Sequence, residues 1–190
     1  PGDVFEARTG VEIGNYDSWT VDGAVSGPLS GEAGLRLSAR QHRSDGFMRN
    51  GFLGRDDTNR RDERAFRGHL RWLPGMNTTV NLTLGHIDID NGYDAFSLDN
   101  TRTTLSDQPG RDAQRVAFGG ARLSWQGARA FTVEASAATA ASDSVYGYDE
   151  DWTFDGFDPD GYSSTDYYLR DRRNISGEVK LLSTEQGRLF

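Results

Sequence analysis

The chain has 190 residues, 29 acidic side chains against 21 basic ones, a formal charge of -8 and no cysteine. The negative balance argues against a nucleic-acid partner, and the missing cysteine excludes a disulfide frame, a thiolate metal site and a cysteine nucleophile. Hydrophobic residues make up only 35%, yet aromatics reach 11% and glycine 23 residues, which fits a turn-rich protein with exposed rings and not an aromatic-poor disordered one. No run approaches the roughly eighteen apolar residues of a membrane helix, which says nothing against membrane strands. The chain opens Pro1-Gly2-Asp3, with no signal peptide and no initiator Met, so it reads as a mature protein or as a slice of a longer one.

Side chains alternate apolar and polar with a period of two, which predicts about eight strands. The first spans 4–14, with Phe5, Ala7, Val11 and Ile13 opposite Glu6, Arg8 and Glu12, and Asn15-Tyr16-Asp17 makes a tight turn. The second spans 18–27, with Trp19, Val21 and Val25 on its apolar face, and Gly27-Pro28 is expected to stop it because proline cannot donate to a ladder. The third, 33–43, sets Leu35, Leu37 and Ala39 against Arg36, Ser38 and Arg40. After a polar loop at 44–63, the fourth, 64–73, sets Phe66, Leu70 and Trp72 against Arg67, His69 and Arg71. The fifth covers 78–88 and the sixth 113–126, with a second long loop at 89–112 between them. The seventh covers 130–141; an acidic, aromatic third loop fills 142–170; the eighth, 171–183, sets Ile175, Val179 and Leu181 against Asn174, Ser176, Glu178 and Lys180.

The connections sort by length. Turns at 28–32, 73–77 and 126–129 fall at one end of an up-and-down sheet, and the loops at 44–63, 89–112 and 142–170 fall at the other, with the Asn15 turn as one reduced loop. Outer-membrane barrels have short periplasmic turns and long extracellular loops, and interfacial aromatics such as Trp19, Trp72 and Trp125 near strand ends. A soluble sandwich explains the alternation equally well but gives no reason for the sorting. The expected fold is therefore all-β: part of an antiparallel up-and-down transmembrane β-barrel.

Several groups carry candidate chemistry. Asp88, Asp90 and Asp94 surround Asn91-Gly92 with oxygen donors that suit calcium, although the glycine falls too early for an EF-hand and a solvated turn explains them as well. In the third loop carboxylates interleave with rings, which can attract cationic groups and stack on flat ligands. Tyr148, Asp149, Asp151, Trp152, Tyr162 and Tyr168 are candidate ligand contacts there, joined by Tyr93, Asp94 and Phe96 of the second loop; the alternative is a loop kept wet by its acids. The polar-face set Arg36, Arg40, Arg67, Arg71 and Glu134 would project into a barrel, where an open pore would use it for ion selectivity. His86 and Asp88 share a strand face at the outer end, but a catalytic pair also needs a nucleophile or activated water in reach. No phosphate loop, zinc motif or nucleophile elbow appears, and no catalytic residue or cofactor is assigned.

Some of these motifs resemble TonB-dependent outer-membrane receptors. Gly14-Asn15-Tyr16-Asp17 followed by Val25-Ser26-Gly27-Pro28-Leu29 resembles the start of their barrel domain, and Arg36, Ser44-Asp45-Gly46-Phe47 and Asn50 continue the likeness. The stretch from Asp90 to Asn100, Ser106-Asp107-Gln108-Pro109-Gly110 and Tyr148-Asp149-Glu150-Asp151-Trp152 are similar to loops of a subset of such receptors. The resemblance spans 1–190. It implies a barrel of about 22 strands filled by an N-terminal plug, a substrate bound at the outer face, and a TonB box that engages the inner-membrane energy complex. The chain departs from that pattern in having no plug, no TonB box and too few strands, and Gly187-Arg188-Leu189-Phe190 reads as the start of another strand.

The expectation is a barrel-wall segment of a receptor in the outer membrane of a Gram-negative bacterium, non-catalytic, importing a scarce nutrient of the siderophore-iron, cobalamin or oligosaccharide class. Its implied partners are outer-membrane lipid, the plug of the same full-length chain against the inward arginines, the TonB complex and a small-molecule nutrient. The alternatives are a passive eight-stranded porin or adhesin-like barrel, and an outer-membrane hydrolase using the His86 region.

Overall fold

The computed structural model describes residues 4–127 and 131–183. They form ten strands and no helix: β1 Glu6–Ile13, β2 Trp19–Ser30, β3 Ala33–Ser44, β4 Arg49–Asn50, β5 Arg61–Trp72, β6 Thr78–Gly92, β7 Thr103–Thr104, β8 Arg111–Trp125, β9 Phe131–Asp149 and β10 Thr165–Ser183. Eight make one antiparallel sheet in the order β1-β2-β3-β5-β6-β8-β9-β10, each strand beside its sheet neighbour in chain order, while β4 and β7 pair separately and in parallel. The sheet is up-and-down and open, with β1 and β10 as its edges, as a segment of a barrel wall is. The C-terminal Phe190 and residues 128–130 of the last short turn lie outside the described residues.

Register shows which side chains share a face, because directly paired residues point the same way. Val25 pairs with Leu37, Leu70 with Leu35 and Leu82, and Val80 with Leu123, so the apolar stripes merge into one continuous apolar face. Arg36 pairs with Ser26 and His69, Arg67 with Ser38 and Gly85, Arg71 with Gly34 and Asn81, and Glu134 with Ser124 and Lys180. Arg36, Arg40, Arg67, Arg71 and Glu134 therefore all project from the polar face, where Arg122 donates to Glu134 at 2.8 Å.

The apolar face is not covered. Among the described residues only Ala24, Met48 and Ala113 are buried hydrophobics, while Val11, Leu84, Ile175 and Val179 stand 66–88% exposed. A soluble sandwich must bury such a face against a second sheet, and among the described residues the only other sheet is the two-residue pair β4-β7. The same face is banded along the strands. At the short-turn end Trp72 and Trp125 pair with Val80 and Val133, and the Trp125 and Phe131 rings lie 6.4 Å apart, edge to face. At the other end Gln41, Arg64, Asp88, Arg115, Asp143 and Asp171 are successive cross-strand partners, a continuous polar row. Eight residues separate Trp72 from Arg64 and ten separate Trp125 from Arg115. At about 3.3 Å per residue and a tilt near 40°, the apolar band is roughly 20–25 Å tall, close to the ~25 Å of outer-membrane barrels.

The strands overrun the boundaries expected from sequence. β6 continues to Gly92, β8 begins at Arg111, β9 continues to Asp149 and β10 begins at Thr165. The segments 142–149 and 165–170, expected as loop, are thus paired strand, with Val145 opposite Leu169 and Tyr146 opposite Tyr168. Beyond the polar row both faces meet water, so the apolar-polar alternation fades while the ladder goes on. Gly27-Pro28 also does not stop β2: Pro28 pairs with Gly34, and the register shift falls between Pro28 and Ser30, where a bulge tolerates the missing N–H.

One close approach inside the polar face constrains sequence. Gly85 pairs with Phe118, and a Cβ at Gly85 would run into the Phe118 ring. Gly85→Ala is expected to cost about 1–3 kcal/mol through overpacking, seen as a lower urea midpoint of the full-length protein. Adding Phe118→Ala should recover most of that loss; a double variant no better than Gly85→Ala would show that the ring contact is not the cause.

Candidate ligand site

At the long-loop end the connections interlock. The Asn15 turn is held by left-handed backbone at Tyr16 and Asp17, with φ of 63° and 49°. The Tyr16 carbonyl accepts from the Asp45 N–H at 2.9 Å, and the Tyr16 hydroxyl accepts from Arg102 at 2.7 Å. β4 of the first long loop pairs with β7 of the second through Arg49–Thr103 and Asn50–Thr104. The third loop joins them: Phe52 stacks on Phe154 at 4.3 Å, the Asp107 N–H donates to the Thr153 carbonyl at 3.0 Å, and the Asp155 N–H donates to the Asp107 carboxylate at 3.1 Å.

Asn50 is the centre of this cap. Its side chain is fully buried; it donates to Asp94 Oδ2 at 2.8 Å and to the Ser106 carbonyl at 2.7 Å, and it accepts from the Leu53 N–H at 2.7 Å. Thr104 gives Asp94 Oδ2 a second donor at 2.7 Å. Asp94, a candidate ligand contact from sequence, is therefore buried in a bond network that ties the first two loops together.

Beside the cap, on the polar face of the sheet, lies a cavity of about 850 Å³. Phe96, Tyr146, Tyr148, Trp152 and Tyr168 line it with Asp112, Glu150 and Arg170. Strand register assembles one wall, since Tyr146 pairs with Tyr168 and alternation sends Tyr146 and Tyr148 to the same side. The loops add the other. The Trp152 indole stacks on Phe96 at 5.0 Å and 10°, Phe96 meets Tyr148 edge-on at 6.1 Å, and Tyr93 meets Tyr146 at 4.8 Å. Trp152 holds φ of 61°, a conformation costly for a bulky residue and one that recurs at binding sites.

The Tyr93 hydroxyl and then burial push the Tyr146 phenol up to about 12, and burial with Asp166 raises Tyr148. Both phenols stay protonated at neutral pH, so the rings offer hydrogen-bond donors as well as apolar faces. Arg170 lies 6.0 Å from the centre of the Tyr168 ring. A pocket of this size, with aromatic walls, two carboxylates and one guanidinium, suits a flat or ring-bearing ligand with a few polar groups.

Of the candidate contacts read from sequence, Tyr93, Phe96, Tyr148, Trp152 and Tyr168 come together in one ring cluster. Tyr162 stands exposed and outside it. Asp149 lies buried at the foot of the third loop and Asp151 half-buried beside it, with their carboxyls within hydrogen-bonding reach of each other. Burial, then Asp151, pushes Asp149 up to about 6. Asp112 and Arg170 carry no such signal in the sequence, whereas Tyr146 is one of the rings of the acidic, aromatic run; its two-residue spacing from Tyr148, which puts both on one face, is hidden when the segment is read as loop.

The calcium reading of Asp88, Asp90 and Asp94 does not survive as geometry. Asp88 pairs with Arg115 at 3.5 Å, Asp90 with Arg111 at 2.9 Å and Arg60 at 3.3 Å, and Asp94 with Asn50 and Thr104. His86 pairs across to Phe66 and Ala117 on the apolar face, away from the cavity.

No protein-family model and no curated protein matches the sequence. Solved structures do match in fold. The chain superposes on the FpvAI–pyocin S2 complex with a TM-score of 0.65 and 16% identity over 95% of its length. It superposes equally, with a TM-score of 0.65 and 16% identity over 93% of its length, on Pseudomonas aeruginosa FpvA bound to heterologous pyoverdines as an iron complex. FpvA is a TonB-dependent receptor. The chain spans about a quarter of the length of these structures, 25% and 24%.

Proposed function

We propose that this chain is a barrel-wall segment of a TonB-dependent outer-membrane receptor, and that its aromatic cavity contacts a nutrient imported from outside the cell. The observation that carries the reading is the banded, uncovered apolar face: a lipid-high stripe between a Trp/Phe end and a charged row, backed by a polar face of arginines, serines and glutamates. Water does not favour such a face, and hydrocarbon does. The fold-level likeness to FpvA supports the same reading. The polar face would then meet a plug, with Arg36, Arg40, Arg67, Arg71 and Glu134 as its contacts.

Position favours the cavity as a ligand site, because it opens at the end where the loops gather. Its ring walls suit an iron chelate with a flat or cyclic part better than a purely aliphatic solute. The two carboxylates beside one guanidinium favour a ligand with cationic or hydroxyl-rich groups at that point. The solved structures that share this fold are receptors, and the His86 pair faces away from the cavity, which supports a transport role without catalysis.

The test uses the full-length receptor in a Gram-negative strain that lacks it. Uptake of labelled ferric siderophores, cobalamin and oligosaccharides is measured with and without a working TonB complex. Energy-dependent uptake of one class is expected, and Tyr148→Ala with Trp152→Ala should weaken its binding about 10–100-fold by removing two anchoring rings. Uptake of every solute that ignores the TonB complex would sink the importer and leave a passive barrel.

A further inference from the structure

The foot of the third loop holds buried negative charge without a counter-charge. Asp149 ends β9 and is 5% exposed; both its carboxylate oxygens are buried and receive no well-formed hydrogen bond, the groups in reach being the Asp151 carboxyl and the Ser106 hydroxyl. Asp151 reaches it from two residues on, with Oδ1 buried and unpartnered and Oδ2 accepting from the Thr153 hydroxyl at 3.1 Å. Ser106 of the second loop is 2% exposed, and its buried hydroxyl makes no well-formed hydrogen bond and has Asp149 as its neighbour. No ion pair among the described residues involves Asp149 or Asp151. Two carboxyls thus sit side by side with the Asp149 end shielded from water, a costly arrangement for like charges unless something positive sits between them.

We propose that Asp149, Asp151 and Ser106 bind a calcium ion that pins the third loop to the second beneath the aromatic cavity. The donors are all hard oxygens, with no imidazole or thiolate, which selects calcium or magnesium over transition metals. Two carboxylates from one chain turn and a hydroxyl from a separate loop make an irregular set, and calcium tolerates irregular coordination where magnesium requires a near-octahedral one. Among the described residues no three Asp, Glu or His side chains converge at metal-ligand spacing, so waters and backbone carbonyls would complete the shell. A site with only two charged ligands belongs with the weak extracellular class, with Kd on the order of 0.1–1 mM. Trp152 follows Asp151 directly and forms the cavity wall with Phe96, so the ion would hold a ligand-contacting ring in place.

Terbium, a luminescent calcium substitute, tests this in the full-length receptor in detergent, with tryptophan excitation to sensitise emission through Trp152. Saturable emission that millimolar calcium displaces and equal magnesium does not is the expected result. The double variant Asp149→Asn, Asp151→Asn should weaken calcium-competable binding at least tenfold. Amides keep the shape and remove the like-charge repulsion, so this variant should fold, and a normal heat-shifted gel mobility checks that it does. Asp158→Asn, at an exposed carboxylate of the same loop, should leave the titration unchanged. Calcium-competable emission unaltered in the double variant would overturn the proposal. So would protease protection of 150–164 that follows pH through about 6 but ignores calcium, since the carboxyl pair would then be sharing a proton.

Discussion

Asn50→Ala is expected to free the outer loops while leaving the sheet intact. Asn50 makes three side-chain bonds, to the Asp94 carboxylate, the Ser106 carbonyl and the Leu53 N–H, and it is fully buried. Alanine removes all three partners at once without letting water in. Each stranded neutral group costs about 1–3 kcal/mol and a stranded charge more, so the local loss should reach about 3–5 kcal/mol. The loss falls on the cap because β4 and β7 belong to a separate two-stranded pair and contribute nothing to the ladder of the large sheet. Limited proteolysis and hydrogen exchange on the full-length receptor should show residues 49–54 and 103–106 opening. The gel mobility of the folded barrel should not change. Ligand binding should weaken in parallel, since Phe96 and Trp152 hang from the same loops. Loops that stay protected in the variant would mean that the Phe52–Phe154 stack and the β4-β7 pair suffice to hold the cap.

Strand existence was readable because one face repeats apolar residues every second position, as in Val80, Leu82 and Leu84. Strand ends were not. The row Arg64, Asp88, Arg115 and Asp143 looks like loop in a linear reading, yet each charge sits opposite the next across the ladder. Where water bathes both faces, hydrogen bonding continues without any hydrophobic period to announce it. The same effect hid Tyr146, whose place beside Tyr148 and Tyr168 follows only once 142–149 is paired strand. The individual rings of the cavity were visible as an acidic, aromatic run. The sorting of Asp94 into the cap and Asp149 into the foot of the third loop was not, because Asp94 depends on Asn50, 44 residues away, and Asp149 on Ser106 of another loop. Nothing local in a sequence encodes such contacts.

The second large effect separates the membrane from water as the solvent of the apolar face. Leu82 sits in the middle of the band on β6, opposite Leu70 and Ala121. It is 38% exposed, so arginine there would meet no steric obstacle. On a water-facing sheet the change should fall within about 0.5 kcal/mol. In a bilayer an arginine at mid-depth costs about 2–4 kcal/mol, falling toward zero at the interfaces. Leu82→Arg in the full-length receptor should therefore lower the urea midpoint of folding into lipid vesicles by the larger amount. Val145→Arg, on the same face but beyond the charged row, should cost far less, because its side chain reaches the aqueous interface. Thr83→Arg, on the opposite face beside His69, controls for strand propensity and should be mild. The depth dependence is the deciding feature. A general intolerance of arginine on β6 and β9 would report packing, whereas a loss that peaks at Leu82 and fades past Asp88 would trace the hydrocarbon itself.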